Sequence, residues 1–312
     1  MMKCKATACQ MVLCLTFFAC GVVMAQSGFD PAVKCGACEA WNLPAAPFKV
    51  FGNTYYVGPK GVSSVLVVSN QGLVLLDGAL PQSASQIVAH IEALGFQVAD
   101  IKIILNSHEH FDHAGGIAAL QRLSGAKVYG GAASADAMNA GHVTAIDPQA
   151  DLTETAEFPR VKGAQAVKDG QILQLGNVAI TAHRTPGHTP GSTSWSWKSC
   201  EAERCLNVVY ADSLNPVSAP SFRFSGDAKH PETASVLRHS IASLAALPCD
   251  ILIPVHSDSI DLWSKLAARK PGATADPLID SNACKNYAAM FDKKLDERLA
   301  QEKTNSGSSA IH

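Results

Sequence analysis

An excess of either charge is what this sequence most plainly lacks: 25 Lys and Arg stand against 27 Asp and Glu, a formal net charge of -2 over 312 residues. With no basic block and no interleaving of basic with aromatic side chains, it carries no electrostatic footprint for nucleic acid. Charge of any kind is sparse, 17% of residues, as expected of a compact enzyme with a sizeable core. Past the first 25 residues no stretch approaches the roughly 20 consecutive apolar residues of a spanning helix, so the mature protein is expected to be soluble and free of the membrane. The length allows two domains, although one layered α/β unit can hold this many residues.

What is there opens with an export signal. Lys3 and Lys5 precede the apolar run Met11 to Val23, and Val23-Met24-Ala25 sets small residues before Gln26, where signal peptidase cuts. The expected division is a signal peptide over 1–25, a folded domain over 26–303 and a flexible Ser- and Gly-bearing tail over 304–312, with the mature protein in the periplasm. A lipid anchor on Cys20 is the alternative, although Phe17-Phe18-Ala19-Cys20 lacks the leucine usual there.

Cleavage removes four of the ten cysteines and leaves Cys35, Cys38, Cys200, Cys205, Cys249 and Cys284. An even number in an exported chain points to disulfides. Cys200 and Cys205 flank a hairpin turn at Glu201 to Arg204, and Cys249 can tie the end of one helix to Cys284 at the start of the last. Cys35 with Cys38 is a tight pairing whose rival is a redox or zinc Cys-x-x-Cys, for which no second pair is present.

Short runs rich in β-forming residues predict a meander of strands over Phe48 to Val50, Thr54 to Val57, Ser63 to Ser69 and Gly72 to Asp77. Ile87, Ile91 and Leu94 predict a helix over Pro81 to Leu94, followed by a buried strand ending at Leu105, a helix near Gly116 to Leu123 and a strand at Lys127 to Tyr129. Gly141 to Val167 lacks periodicity and reads as a long loop overhanging the active site. The second half repeats the grammar: strands Gln171 to Leu175, Val178 to Arg184, Ser192 to Lys198 and Leu206 to Ala211, a helix over Pro231 to Ala246, a strand Asp250 to Val255 and a last helix over Pro277 to Gln301. Two such βα halves place two mixed sheets face to face with helices on both outer sides.

The chemistry is concentrated in His108-Glu109-His110-Phe111-Asp112-His113, on the loop between a strand and a helix, where α/β proteins collect ligand sites. Imidazole and carboxylate suit zinc, and four ligands in six residues are too many for one ion. His108 and His110 can share one metal while Asp112 and His113 face a second. His188, framed by Thr185-Pro186-Gly187 and Thr189-Pro190-Gly191-Ser192, supplies a third ligand to the first. His256, at the end of the apolar strand Ile251 to Val255, supplies one to the second.

These motifs, followed by Tyr210-Ala211-Asp212-Ser213 and the strand-ending histidine, resemble the metallo-β-lactamase superfamily over most of the mature chain. With Asn53 to Gly58, Val209 to Leu214 and the export signal, the chain is most similar to the subclass B3 zinc β-lactamases. The resemblance implies an αββα sandwich and two zinc ions per chain, held by His108, His110 and His188 and by Asp112, His113 and His256. It implies hydrolysis of penicillins, cephalosporins and carbapenems by a zinc-bound hydroxide that Asp112 orients, with antibiotic resistance as the outcome and the protein acting as a monomer. Ser213 stands where other zinc β-lactamases carry a metal-binding cysteine, and is expected with Asn215 to bind the substrate carboxylate. Asp77 is expected to support the metal loop; Asp212 is open to two readings, since an aspartate near this place bridges the metals in glyoxalase II-type hydrolases whereas the lactamase pattern leaves the corresponding aspartate outside the ligand set. Trp41 and Phe158 either line the pocket rim or pack.

Three positions depart from the subclass: Glu109 where alanine is common, Asn215 where a second hydroxyl residue is usual, and His256-Ser257-Asp258 without a following proline. The alternative function is another binuclear hydrolase of the same fold, a glyoxalase II-type thioester hydrolase or a lactonase. A noncatalytic metal-binding protein is the reading from another class, disfavoured because all six ligands are intact.

Overall fold

The computed structural model describes Met1 and residues 28–152, 157–228, 230–270 and 275–308. Apart from Met1, the expected signal peptide lies outside them. Helix α1 (Cys38–Trp41) leads into the expected meander, β1 (Phe48–Phe51), β2 (Thr54–Tyr56), β3 (Val65–Ser69) and β4 (Gly72–Leu76), each antiparallel to the one before. After a 3-10 turn at Pro81–Ser83, α2 (Ala84–Ala93) returns the chain to β5 (Ile101–Leu105), parallel to β4. Two helices, α3 (Phe111–Ala114) and α4 (Ile117–Ser124), precede β6 (Lys127–Gly130), and α5 (Ala132–Ala140) precedes the two-residue β7 (Gln165–Ala166). The second half runs through β8 (Ile172–Leu175), β9 (Val178–Arg184), β10 (Thr193–Glu201) and β11 (Arg204–Ala211), then α6 (Ala234–Ala245), β12 (Ile251–Pro254), α7 (Leu262–Ala267) and α8 (Ala283–Ser308).

Strands order as β1-β2-β3-β4-β5-β6-β7 in one sheet and β12-β11-β10-β9-β8 in the other. Successive residues of a strand point to opposite faces, and here both faces are apolar, so each sheet is covered twice. On β3 and β4, Leu66 and Leu75 pack with Ile87 and Ile91 of α2 and Leu120 of α4, whereas Val65, Val67, Val74 and Leu76 face Ile180, Trp195, Trp197 and Val208 of the second sheet. On β11 and β12, Val209 and Leu252 turn outward to Leu237 and Ile241 of α6 and Tyr287 and Phe291 of α8. The result is the expected four-layer αββα sandwich.

Three elements differ from the sequence expectation. Residues 132–140 are helical without an apolar period because alanine carries almost no helix penalty, and Gly141, at φ 82, ends the helix in the left-handed conformation. The end of the long loop becomes β7 by pairing with β6 at Tyr129 and Gly130. The last helix begins at Ala283 rather than Pro277 and runs through Ser308, into the stretch expected as a tail. All three cysteine pairs are disulfides: Cys35–Cys38, Cys200–Cys205 and Cys249–Cys284. Among the described residues no helix is long and apolar enough to cross a membrane.

Candidate metal centre

The loop after β5 is held by a carboxylate at the end of β4. Asp77, buried and at φ 57, accepts hydrogen bonds from Ser107 N (2.7 Å), Ser107 Oγ (2.6 Å), Asn106 Nδ2 (3.1 Å) and the Tyr210 hydroxyl (2.9 Å). This is the support expected of it. His110 is extended, at φ -72 and ψ 150, and caps α3, so Asp112 and His113 ride on the first helical turn. That change of backbone turns the second pair of ligands away from the first.

The other two histidines arrive from the second sheet. His188 lies in a turn where Gly187, at φ 140, packs so closely on α6 that a Cβ would stand 2.7 Å from Leu237; only glycine suits both the angle and the space. His256 follows β12, is bridged to Val62, and packs its ring 5.4 Å from that of Trp41. All six expected ligands meet. Nitrogens of His108, His110 and His188 lie within 4.8 Å of one another, as do donor atoms of His108, Asp112 and His113. His113 Nε2 is 3.2 Å from Asp112 Oδ2 and 3.3 Å from His256 Nε2, and His256 Nε2 is 3.5 Å from Asp112 Oδ2.

The fit to a cation shows in which nitrogens are already engaged. His108 Nδ1 is 2.7 Å from Asp212 Oδ1, His110 Nε2 is 3.2 Å from both oxygens of Asp147, and His188 Nδ1 is 2.8 Å from the Asn215 carbonyl. Each ring therefore has its outer nitrogen bonded and its other nitrogen aimed inward, the arrangement that fixes tautomer and orientation in metal-bound imidazoles. His108 Nε2 is buried with no hydrogen-bond partner, a costly state for a polar atom unless something is meant to fill it.

Electrostatics divide the rings. Burial pushes His108 well below the ordinary imidazole range and His188 down to about 3. Burial also opposes charge on His110 and His113, but the Asp147 carboxylate outweighs it at His110, and Asp112 with Asp77 carries His113 up to about 10. Asp112 is pushed up by burial and more strongly down by His113 and His256, ending well below the carboxylate range. Burial drives Asp212 well above that range and Glu109 up to about 7.

Ser213 is buried, and its Oγ accepts the Asn215 N–H at 3.3 Å. Asn215 itself contributes through its carbonyl to His188. Asp212 braces His108 from outside the cluster. Trp41 lies against His256, whereas Phe158 is buried in the core beside α5. The long loop does reach the site, through Asp147, which the sequence showed only as a breaker before Pro148.

The sequence pattern of the metallo-beta-lactamase superfamily matches residues 57–202. Among solved structures, the Rm3 metallo-beta-lactamase is 50% identical, with a TM-score of 0.83 over 86% of this chain and 99% of that one. MEM-A1, a subclass B3 metallo-beta-lactamase from a soil metagenome library, is 46% identical, with a TM-score of 0.81 over 85% and 99%. Among curated proteins, a hydroxyacylglutathione hydrolase of Anaeromyxobacter dehalogenans is 35% identical over 124 residues, 40% of this chain and 37% of that protein. The chain spans between 37% and 58% of the length of the first curated relatives it matches.

Proposed function

Because this chain belongs to the metallo-beta-lactamase superfamily, and its structural neighbours include subclass B3 enzymes, we propose that it is an exported zinc β-lactamase that opens penicillins, cephalosporins and carbapenems and thereby confers resistance. The observation that carries this reading is the meeting of six histidine and aspartate side chains in a frame half identical to a β-lactamase along 99% of its length. The fold and its His/Asp groups suit a divalent metal. One ion would be held by His108, His110 and His188, and a second by Asp112, His113 and His256. Zinc accepts both donor sets, and when bound it supplies Lewis acidity for the carbonyl and the leaving nitrogen and lowers the pKa of water to about 7.

The protein's own groups do the rest. Asp112, kept ionised by His113 and His256 despite its burial, accepts a hydrogen bond from the attacking water and sets its direction of approach. Ser213 already uses its oxygen as the acceptor for Asn215 N–H, which leaves its hydroxyl proton to donate to the substrate carboxylate; the Asn215 amide offers a second donor. Water is the nucleophile, so Ser213 binds and is never acylated.

The curated relatives favour a second reading, a thioester hydrolase or lactonase on the same fold. Against it, Asp212 directs an oxygen to His108 Nδ1 and so braces a ligand, where a glyoxalase II-type aspartate bridges the metals. The test is turnover of a penicillin, a cephalosporin and a carbapenem by the purified mature protein, lost with a chelator and regained with zinc, while an S-acylglutathione stays intact. Rapid thioester or lactone cleavage with inert β-lactams reverses the choice. N-terminal sequencing of periplasmic protein should begin at Gln26, and sedimentation should give a monomer.

A further inference from the structure

Glu109 is a carboxylate that the proposed chemistry does not use. It is fully buried between two presumed ligands, and its oxygens reach out of their loop to the turn that carries the third. Oε2 accepts the Thr189 hydroxyl at 2.8 Å, and Oε1 accepts the Gly191 backbone N–H at 3.2 Å. The turn is also closed on itself, since Ser192 Oγ accepts Thr189 N–H at 3.2 Å and lies 3.1 Å from Thr189 Oγ1. A Cβ on Gly191 would run into the Glu109 carboxylate and the Ser134 backbone, so the two loops meet at closest approach. Burying a carboxylate is expensive even when it is hydrogen-bonded.

We propose that Glu109 is a positioning residue: it locks the Thr189–Gly191 side of the His188 turn onto the His108/His110 loop and thereby fixes the gap across which the first triad closes on a metal. The inference rests on the reading that this triad holds a metal. His188 has its own anchor in the Asn215 carbonyl, and Ser240 Oγ and Arg184 Nη2 hold the Pro186 and Pro190 carbonyls of its turn, but none of these contacts reaches the His108/His110 loop. The two bonds from Glu109, made 80 and 82 residues away in sequence, supply that link and set the distance between the two loops. The role is mechanical: Glu109 neither ligates nor reacts.

The test compares wild type with Glu109→Ala, Glu109→Gln and Thr189→Val. Zinc affinity is read by competition with a chromophoric chelator, and ligand geometry by the visible spectrum of the cobalt-substituted protein. Glu109→Ala should weaken the ion of the first triad about ten- to a hundredfold, the range for losing a group that orients a ligand, and should change the cobalt spectrum. Glu109→Gln, which keeps an oxygen for one donor, should recover part of the loss. Thr189→Val should act in the same direction and add little to Glu109→Ala, because both cut one link. Arg269→Ala, which breaks a clamp on the Lys49 and Val50 carbonyls outside the site, should lower Tm and leave zinc affinity alone. Should Glu109→Ala fail to fold, the other two variants carry the test. Variants that lose Tm but keep wild-type zinc affinity and cobalt spectrum overturn the positioning role alone, whereas wild type that takes up no metal overturns the metal reading and this inference with it.

Discussion

The two triads share one loop yet are built to different standards. Every imidazole of the first is buried and backed at close range, by Asp212, Asp147 and the Asn215 carbonyl. In the second, His113 stands 3.6 Å from Asp77, and the side chain of His256 is 25% exposed beside Trp41. The second triad has Asp112 in place of one imidazole, and the backing of the rings separates the two sites further. Preorganised donors bind without the expense of being ordered first, so the first triad should hold its ion tightly and the second should exchange.

The largest effect that would break this comparison comes from the ligands themselves. His108→Ala should reduce kcat/KM by about a thousandfold or more, several kcal/mol of lost Lewis-acid stabilisation. His256→Ala should cost less, about a hundredfold, and excess zinc should offset part of it. Equal losses in steady-state assays would refute the ranking.

Next come the braces. Asp212→Ala and Asp147→Ala should each weaken the tighter ion about ten- to a hundredfold while leaving the weaker one near wild type. Chelator competition resolves the two steps. If the weaker ion moved instead, the assignment of braces to triads would be wrong.

Protons sharpen the contrast further. His113 lies at about 10 in the metal-free protein, so throughout the neutral range the second triad must release its proton to bind a cation. Affinity there should rise with pH, about tenfold per unit for each proton displaced, until His113 titrates. His108 and His188 are already neutral and release nothing, and in the first triad only His110, raised by the Asp147 carboxylate, is shifted toward its charged form. Calorimetry in buffers of different ionisation enthalpy counts these protons. Uptake of the second ion with no proton released would contradict the scheme.

The smallest effect is expected at Trp41. An aromatic contact of this kind contributes about 1 kcal/mol beyond its buried area, so Trp41→Ala should loosen the second ion about fivefold and leave the first unchanged.

Ligand identity was readable because the metal loop is contiguous, and because His188 and His256 each follow a strand. The layers were readable for a related reason: the apolar runs of β3, β4, β11 and β12 are each complete within a few contiguous residues. What escaped is what acts at a distance. Asp147 meets His110 across 37 residues, Asn215 meets His188 across 27, and Glu109 meets Thr189 across 80, and no local period encodes such pairings. Helix α5 escaped for the opposite reason, since an alanine-rich stretch has helical propensity but no stripe for a pattern to reveal.

By itself the sequence determined the donor set, the loop that presents four of its six members and the six cysteines, past the first 25 residues, that pair as disulfides. The tertiary structure alone decided which nitrogen of each ring faces inward and how firmly it is held. An imidazole has two nitrogens, and the choice between them is made by the hydrogen bond to the outer one, whose partner comes from another part of the fold.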